Sequence, residues 1–136
     1  MLVAVAQMTS GGVIRENLAI AQQLVRRAAM AGAKAVFLPE AADFIAPPAS
    51  VPTLTRSRDN GAFVSGLCAS ARDLGVWISV GVHEPPSSTL QEPTRCYNTQ
   101  LLINDQGSVC AQYRKLHLYD VNVQNLSLIH ISEPTR

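Results

Sequence analysis

The chain has 136 residues, of which 47% are hydrophobic and 15% charged, and its formal net charge is +1. That length suits one domain or a piece of one, and the apolar content is enough for a core and excludes a disordered chain. The basic residues are scattered rather than gathered into a stripe, so no nucleic-acid partner is expected. No membrane association is expected either, since no apolar run approaches the roughly 18 residues of a membrane span.

Residues 2–7, Leu2-Val3-Ala4-Val5-Ala6-Gln7, form a short apolar run that reads as a strand buried on both faces. It carries no basic leader region and no small-residue cleavage site, so no secretory signal is expected. Thr9-Ser10-Gly11-Gly12 is a loop. Residues 14–31 read as a helix, with Leu18, Ala21, Leu24, Val25 and Ala28 on one face and Gly32 as the glycine at its C-terminal end. Residues 34–38 are a second buried strand, ended by Pro39-Glu40. Residues 41–60 contain Pro47, Pro48 and Pro52 and read as a loop. A second helix is expected over 61–74, with Phe63, Val64, Leu67, Ala71 and Leu74 inward and Gly75 ending it.

Residues 76–82 form a third apolar strand, and 83–95, with Pro85, Pro86 and Pro93, a loop. A fourth strand covers 96–103, Asn104-Asp105-Gln106-Gly107 is a turn signal, and a fifth strand covers 108–114. The order is β-α-β-α-β-β-β. Strands alternating with helices imply a parallel sheet with helical crossovers, and the closing hairpin makes that sheet mixed. The two helices can cover one face. The strands read as apolar on both, so the other face needs a partner layer that these residues do not supply.

Residues 126–136 read LSLIHISEPTR and follow abruptly on Val121-Asn122-Val123-Gln124-Asn125. The string matches a translation of the transposon-end adapter used in making sequencing libraries. Residues 1–125 are therefore read as a truncated domain and 126–136 as translated adapter, which has no place in fold reasoning; the alternative is a real, unremarkable tail.

Two ionisable groups stand where buried runs end. Ligands and catalytic groups of open α/β sheets sit beyond the carboxyl ends of strands, and Glu40 is one residue past such an end. Partial desolvation there would raise its pKa and suit it to proton transfer. From position alone it reads equally as a helix N-cap or a solvated loop acid. Lys115 ends the fifth strand. It reads either as an ammonium that stabilises a developing oxyanion or as a lysine whose stem lies along the strand end.

Cys68 falls inside a helix, Cys110 inside a strand and Cys96 at a strand's start. A nucleophilic cysteine needs an activating, partly exposed site, and buried structural cysteine is the commoner case. Their odd number and wide spacing argue against a disulfide framework and for a reducing compartment, the cytoplasm, with the mitochondrion as the alternative. No Cys-x-x-Cys or clustered histidine suggests a metal site. His83 and His117 have no serine or cysteine partner visible in the sequence and read as structural or supporting residues.

The motifs combine into a resemblance. Val3-Ala4-Val5-Ala6-Gln7, Gly32-Ala33-Lys34-Ala35-Val36-Phe37-Leu38-Pro39-Glu40, Tyr97-Asn98-Thr99 and Tyr113-Arg114-Lys115-Leu116-His117-Leu118 resemble the nitrilase, or carbon–nitrogen hydrolase, superfamily in type, order and spacing. Ser79-Val80-Gly81-Val82-His83-Glu84-Pro85-Pro86 and the segment from Lys115 to Val121 look most like its Nit amidase branch. The resemblance covers residues 2–125, the first half or slightly less of a family domain. It implies an α/β fold, the N-terminal half of an α-β-β-α sandwich, assembled as homodimers or larger when full length. It implies a Glu-Lys-Cys centre in which Glu40 matches the general base and Lys115 the lysine that stabilises the tetrahedral intermediate. The nucleophile would come from a later Cys-Tyr-Asp-x-Arg-Phe-Pro-Glu type of motif that this chain lacks. Cys96-Tyr97-Asn98 looks superficially like it but precedes Lys115. Asp120 matches a family position with no catalytic role assigned.

The reaction implied is hydrolysis of an amide carbon–nitrogen bond in a small ω-amide or deaminated-glutathione-like substrate, with no metal or organic cofactor, and this chain alone is expected to be inactive. The alternatives are another branch of the superfamily, a carbamoyl-amide hydrolase or a nitrilase proper, and a non-catalytic binding or regulatory truncation.

Overall fold

The computed structural model describes residues 1–85 and 96–116; the expectations at Pro86, Pro93, His117, Asp120 and residues 126–136 lie outside the described residues. Strand β1 (Val3–Val5) leads into helix α1 (Ile14–Met30), then β2 (Ala35–Phe37). A 3-10 turn (Pro48–Ser50) runs into the short α2 (Val51–Thr55) and the long α3 (Arg58–Leu74). Strands β3 (Trp77–Glu84), β4 (Tyr97–Ile103) and β5 (Val109–Arg114) follow. They form one five-stranded sheet in sequence order. β1, β2 and β3 run parallel, joined by helical crossovers, and β3, β4 and β5 pair antiparallel. The expected order and mixed sheet are both present.

The helices end where the chain can turn left-handed. After α1 the N–H of Gly32 bonds to Ala29 O and that of Ala33 to Ala28 O, and after α3 the N–H of Gly75 bonds to Arg72 O and that of Val76 to Ala71 O. Both are Schellman closures, and glycine fills the positive-φ position in each, at +90° and +60°. α3 starts earlier than residue 61, because the Ser57 side chain accepts the N–H of Asn60 and caps the helix. The expected loop over 41–60 is likewise corrected at its C-terminal side. Pro48 and Pro52 stand in the first turns of the 3-10 turn and of α2, where a missing N–H costs nothing, so they start helical segments rather than break them. β3 runs on through Glu84 because Glu84 pairs with Tyr97 across the antiparallel ladder.

Side chains alternate across the sheet. Val36, Ile78, Val80, Val82, Leu101 and Ile103 point to one face and pack with Val25, Phe63, Leu67 and Ala71 of the helices into the core. α1 and α3 also meet each other, Gln22 Nε2 donating to Gly66 O and Ser70 Oγ at 3.2 Å each. The opposite face carries Val3, Val5, Phe37, Trp77 and Tyr113, all exposed. β1, expected to be buried on both faces, is therefore covered on one, and the second face is bare of cover among the described residues.

Candidate active site

Glu40 lies on that second face because β2 and β3 are not paired evenly to the end. The parallel ladder continues past Phe37 with Leu38 N–H to Ser79 O at 2.8 Å and Gly81 N–H to Pro39 O at 3.2 Å, then resumes with Ala42 N–H to Gly81 O at 2.9 Å. Glu40 and Ala41 are the residues squeezed between, and Ala41 takes φ +52°. A left-handed alanine costs about 1–2 kcal/mol, so the surrounding bonds over-determine this bulge. It rests directly on β3. A Cβ at residue 81 would lie 2.6 Å from the Glu40 Cα, and glycine there lets the backbone of Glu40 lie flat on the strand.

Lys115 reaches the same place from two strands away. Its N–H donates to Asn98 O at 2.8 Å, extending the β4–β5 ladder one residue beyond Arg114. Its Nζ donates to Glu40 Oε1 at 3.0 Å, closing a contact between residues 75 apart in the chain. Asn98 on β4 stands between them, its Nδ2 donating to the same Glu40 Oε1. One residue thus holds the carboxylate with its side chain and the lysine's strand with its carbonyl. The reading of Glu40 as a helix N-cap is excluded by this placement.

The charge balance corrects one expectation. Burial does push the Glu40 carboxyl up, but the hydrogen bond from Lys115 outweighs it, helped by that from Asn98 and by the charges of Lys115 and His83, so the carboxyl is held below its ordinary value. The Glu40 side chain is 57% exposed and that of Lys115 38%, too open for desolvation to dominate. Glu40 is therefore an ionised acceptor at neutral pH, with an ammonium beside it.

His83 follows Gly81 on the same face of β3. Its Nδ1 lies 2.9 Å from Asp43 Oδ1, and its ring stacks on Phe44 at 4.3 Å between centroids. Arg114 and Glu84 pair on the helix-covered face, Nε to Oε2 at 3.2 Å, with the Thr99 hydroxyl donating to the same oxygen. Burial raises the thiols of Cys68 and Cys96, the reverse of what a thiolate nucleophile needs. Cys110 sits at the irregularity in the β4–β5 pairing, its Sγ 3.4 Å from Leu102 O. All three are free cysteines. Among the described residues no group of His, Cys, Asp and Glu could hold a metal ion, and no helix is long and apolar enough to cross a membrane.

Asn98 is the site residue that position in the sequence did not assign a role. The signal was present in the Tyr97-Asn98-Thr99 motif, but nothing in a linear reading says that a side chain on β4 meets a loop after β2.

A mixed sheet whose strand ends bring a glutamate and a lysine into contact defines a class. The carbon–nitrogen hydrolase family model matches residues 2–132, and the chain belongs to that family. Among curated proteins it is 39% identical over 122 residues to the deaminated glutathione amidase of Mus musculus, covering 90% of this chain and 38% of that protein. It is 37% identical over 126 residues to a probable hydrolase, nit2, of Schizosaccharomyces pombe, covering 91% and 44% respectively. The chain thus spans well under half the length of these relatives. Of solved structures, the NitFhit protein of Caenorhabditis elegans superposes with a TM-score of 0.79 at 31% identity, covering 89% of this chain and 29% of that one. An amidase from Nesterenkonia gives a TM-score of 0.75 at 26% identity over 88% of this chain and 44% of its own. The fold is the N-terminal part of the nitrilase type.

Proposed function

We propose that the protein to which this chain belongs hydrolyses the carbon–nitrogen bond of a small amide, an ω-amide or deaminated-glutathione-like compound, through a Glu-Lys-Cys centre. Glu40 is its general base and Lys115 the stabiliser of its tetrahedral intermediate. The observation that carries this reading is the contact of Lys115 Nζ with Glu40 Oε1 at 3.0 Å on an open sheet face. The deaminated glutathione amidases among the relatives support the substrate class, and a mutant of the Nesterenkonia amidase has been solved with the acetamide moiety of fluoroacetamide added covalently at the active site cysteine.

In this reading Glu40, ionised and accepting, takes the proton of a cysteine thiol, and the thiolate attacks the amide carbonyl carbon. The carbon–sulfur bond forms as the carbonyl π pair moves to oxygen, where the Lys115 ammonium meets the new charge. The carbon–nitrogen bond then breaks, and the leaving nitrogen takes the proton from Glu40 and departs, as ammonia from an ω-amide or as an amine from a deaminated-glutathione-like compound. Glu40 next accepts a proton from water as that water attacks the thioester, and the acid leaves with the thiol restored. Burial raises the thiols of Cys68 and Cys96, and Cys110 lies near the start of β5, at the other end of the strand from Lys115, so in this reading the nucleophile comes from chain beyond these residues and the 136-residue chain is inactive alone.

The same reading takes residues 1–125 as a truncated hydrolase domain and 126–136 as translated adapter. It places the protein in the cytoplasm, on the support of its free cysteines, and has it form homo-oligomers when full length with no nucleic-acid partner. Reading the source coding frame across codon 125 tests the boundary: continuation into a Cys-Tyr-Asp type of motif supports it, and a natural stop after residue 136 contradicts it. Product release from a panel tests the substrate class: ammonia from an ω-amide and from a nitrile, the freed amine from deaminated glutathione and from a carbamoyl amide. The amides should turn over fastest, and preference for the nitrile or carbamoyl compound would move the protein to another branch.

A further inference from the structure

Three residues past Glu40 lies a carboxylate that the reaction above does not use. Asp43 is completely buried. Its Oδ1 accepts the N–H of Phe44 and lies against His83 Nδ1, both at 2.9 Å, and its Oδ2 accepts the main-chain N–H of His83 at 2.8 Å. Its own carbonyl accepts from Asn17 Nδ2 at 2.9 Å, which ties it to the first turns of α1. Burying a carboxylate is costly unless its lone pairs are filled, and here they are filled by one strand and one loop.

The location of those bonds gives them a use. The bulge that carries Glu40 leaves the β2–β3 ladder at Pro39 and rejoins it at Ala42, and the next ladder position is taken by the Asp43 side chain in place of a main-chain acceptor. The strained Ala41 lies between these anchors. An uncharged acceptor would suffice for the two main-chain donors. The carboxylate makes a third bond, charge-assisted, to a ring that is stacked on Phe44 and whose side chain is 18% exposed beside the site.

We propose that Asp43 is a positioning residue for Glu40, acting through His83: the buried carboxylate locks His83 and the downstream end of the bulge so that Glu40 stays on Gly81 and in contact with Lys115. The proposal rests on the reading of Glu40 as the base but is tested apart from it. The charged groups around Glu40 are Lys115 from the end of β5 and His83 from β3, and those around Asp43 are His83 and the Cys96 thiol, on which its charge acts. The lysine and histidine charges both favour the Glu40 carboxylate, so loosening the bulge weakens that support.

The test is carbon NMR of the complete protein, expressed from the full coding frame and labelled at its glutamate carboxyls, the Glu40 signal being assigned by its loss in Glu40→Gln. In the wild type the Glu40 carboxyl should titrate below the ordinary glutamate value. Asp43→Asn should move that midpoint upward toward the ordinary value, and His83→Gln, which keeps the main-chain bonds of residue 83, should move it in the same direction by less. Val25→Ala, a core change remote from the site, should lower the melting temperature and leave the midpoint in place. An unchanged Glu40 midpoint in both site variants overturns the proposal and leaves Asp43 a purely structural acid. Because the His83 charge acts on Glu40 directly, His83→Gln is also combined with Lys115→Met. If Asp43→Asn fails to fold, a smaller effect of Lys115→Met on the Glu40 midpoint in the His83→Gln background than in the wild type supports the proposal, and an undiminished effect overturns it. None of these readings depends on turnover, so a failure of Glu40 as base would appear in kinetics and not here.

Discussion

Glu40 is more than half exposed and is nonetheless held by two donors, from β4 and from the end of β5. At the scale of the residue this separates its chemistry from its stabilising effect. An exposed pair of this kind contributes about 0–1 kcal/mol. Its folded pKa is depressed, so whatever stability it contributes is fully present above the ordinary glutamate value of 4.5 and is lost as pH falls through the lower folded value. We expect Lys115→Met to flatten that acid limb in a pH series of thermal melts. An acid limb identical in wild type and variant would contradict the assignment of Lys115 as the main cause. Glu40 and Lys115 were legible because each ends an apolar run and each sits in a recognisable motif. The direction of the Glu40 shift was not. Burial is suggested by a strand end, but a lysine 75 residues away is brought to hydrogen-bond distance only by the fold.

At the scale of the element, one small residue decides where the site stands. Gly81 accommodates the bulge, and a methyl group there would meet the Glu40 backbone rather than a flexible side chain. Gly81→Ala should destabilise the chain by about 1–3 kcal/mol through overpacking and lift Glu40 away from Lys115. Denaturant melts read the first effect and the Glu40 carboxyl titration the second; a stable variant with an unchanged midpoint would contradict the account. Ser57 is the counter-case, distant from the chemistry. Ser57→Ala should cost about 1 kcal/mol through loss of the α3 cap, with no effect on Glu40. The helices and strands were legible from their apolar spacing and closing glycines. The start of α3 was not, because three prolines upstream suggested a continuous loop while Ser57 gave a weaker and opposite signal. The extra length of β3 was equally hidden, since Glu84 is strand only by virtue of its partner Tyr97.

At the scale of the whole molecule, one sheet face is packed and the other displays apolar side chains beside the candidate site. The expectation of a second layer came from strands apolar on both sides; among the described residues that face displays Val3, Val5, Phe37 and Trp77. Trp77 is the single tryptophan and lies on that face at 39% exposure. Its emission should be that of a partly hydrated indole in this chain and shift to the blue in a complete protein whose further chain covers the sheet. Identical spectra would mean the face stays open. The central claim is that Glu40 and Lys115 act together on a carbon–nitrogen bond. The most direct test is ammonia release from a small ω-amide by the complete protein, expressed from the full coding frame, compared with its Glu40→Gln and Lys115→Met variants and with the 136-residue chain. The account predicts turnover by the complete protein, a fall on the order of 10²–10⁴ in each variant and none from the short chain; a variant that keeps the wild-type rate, or turnover by the short chain, would contradict it.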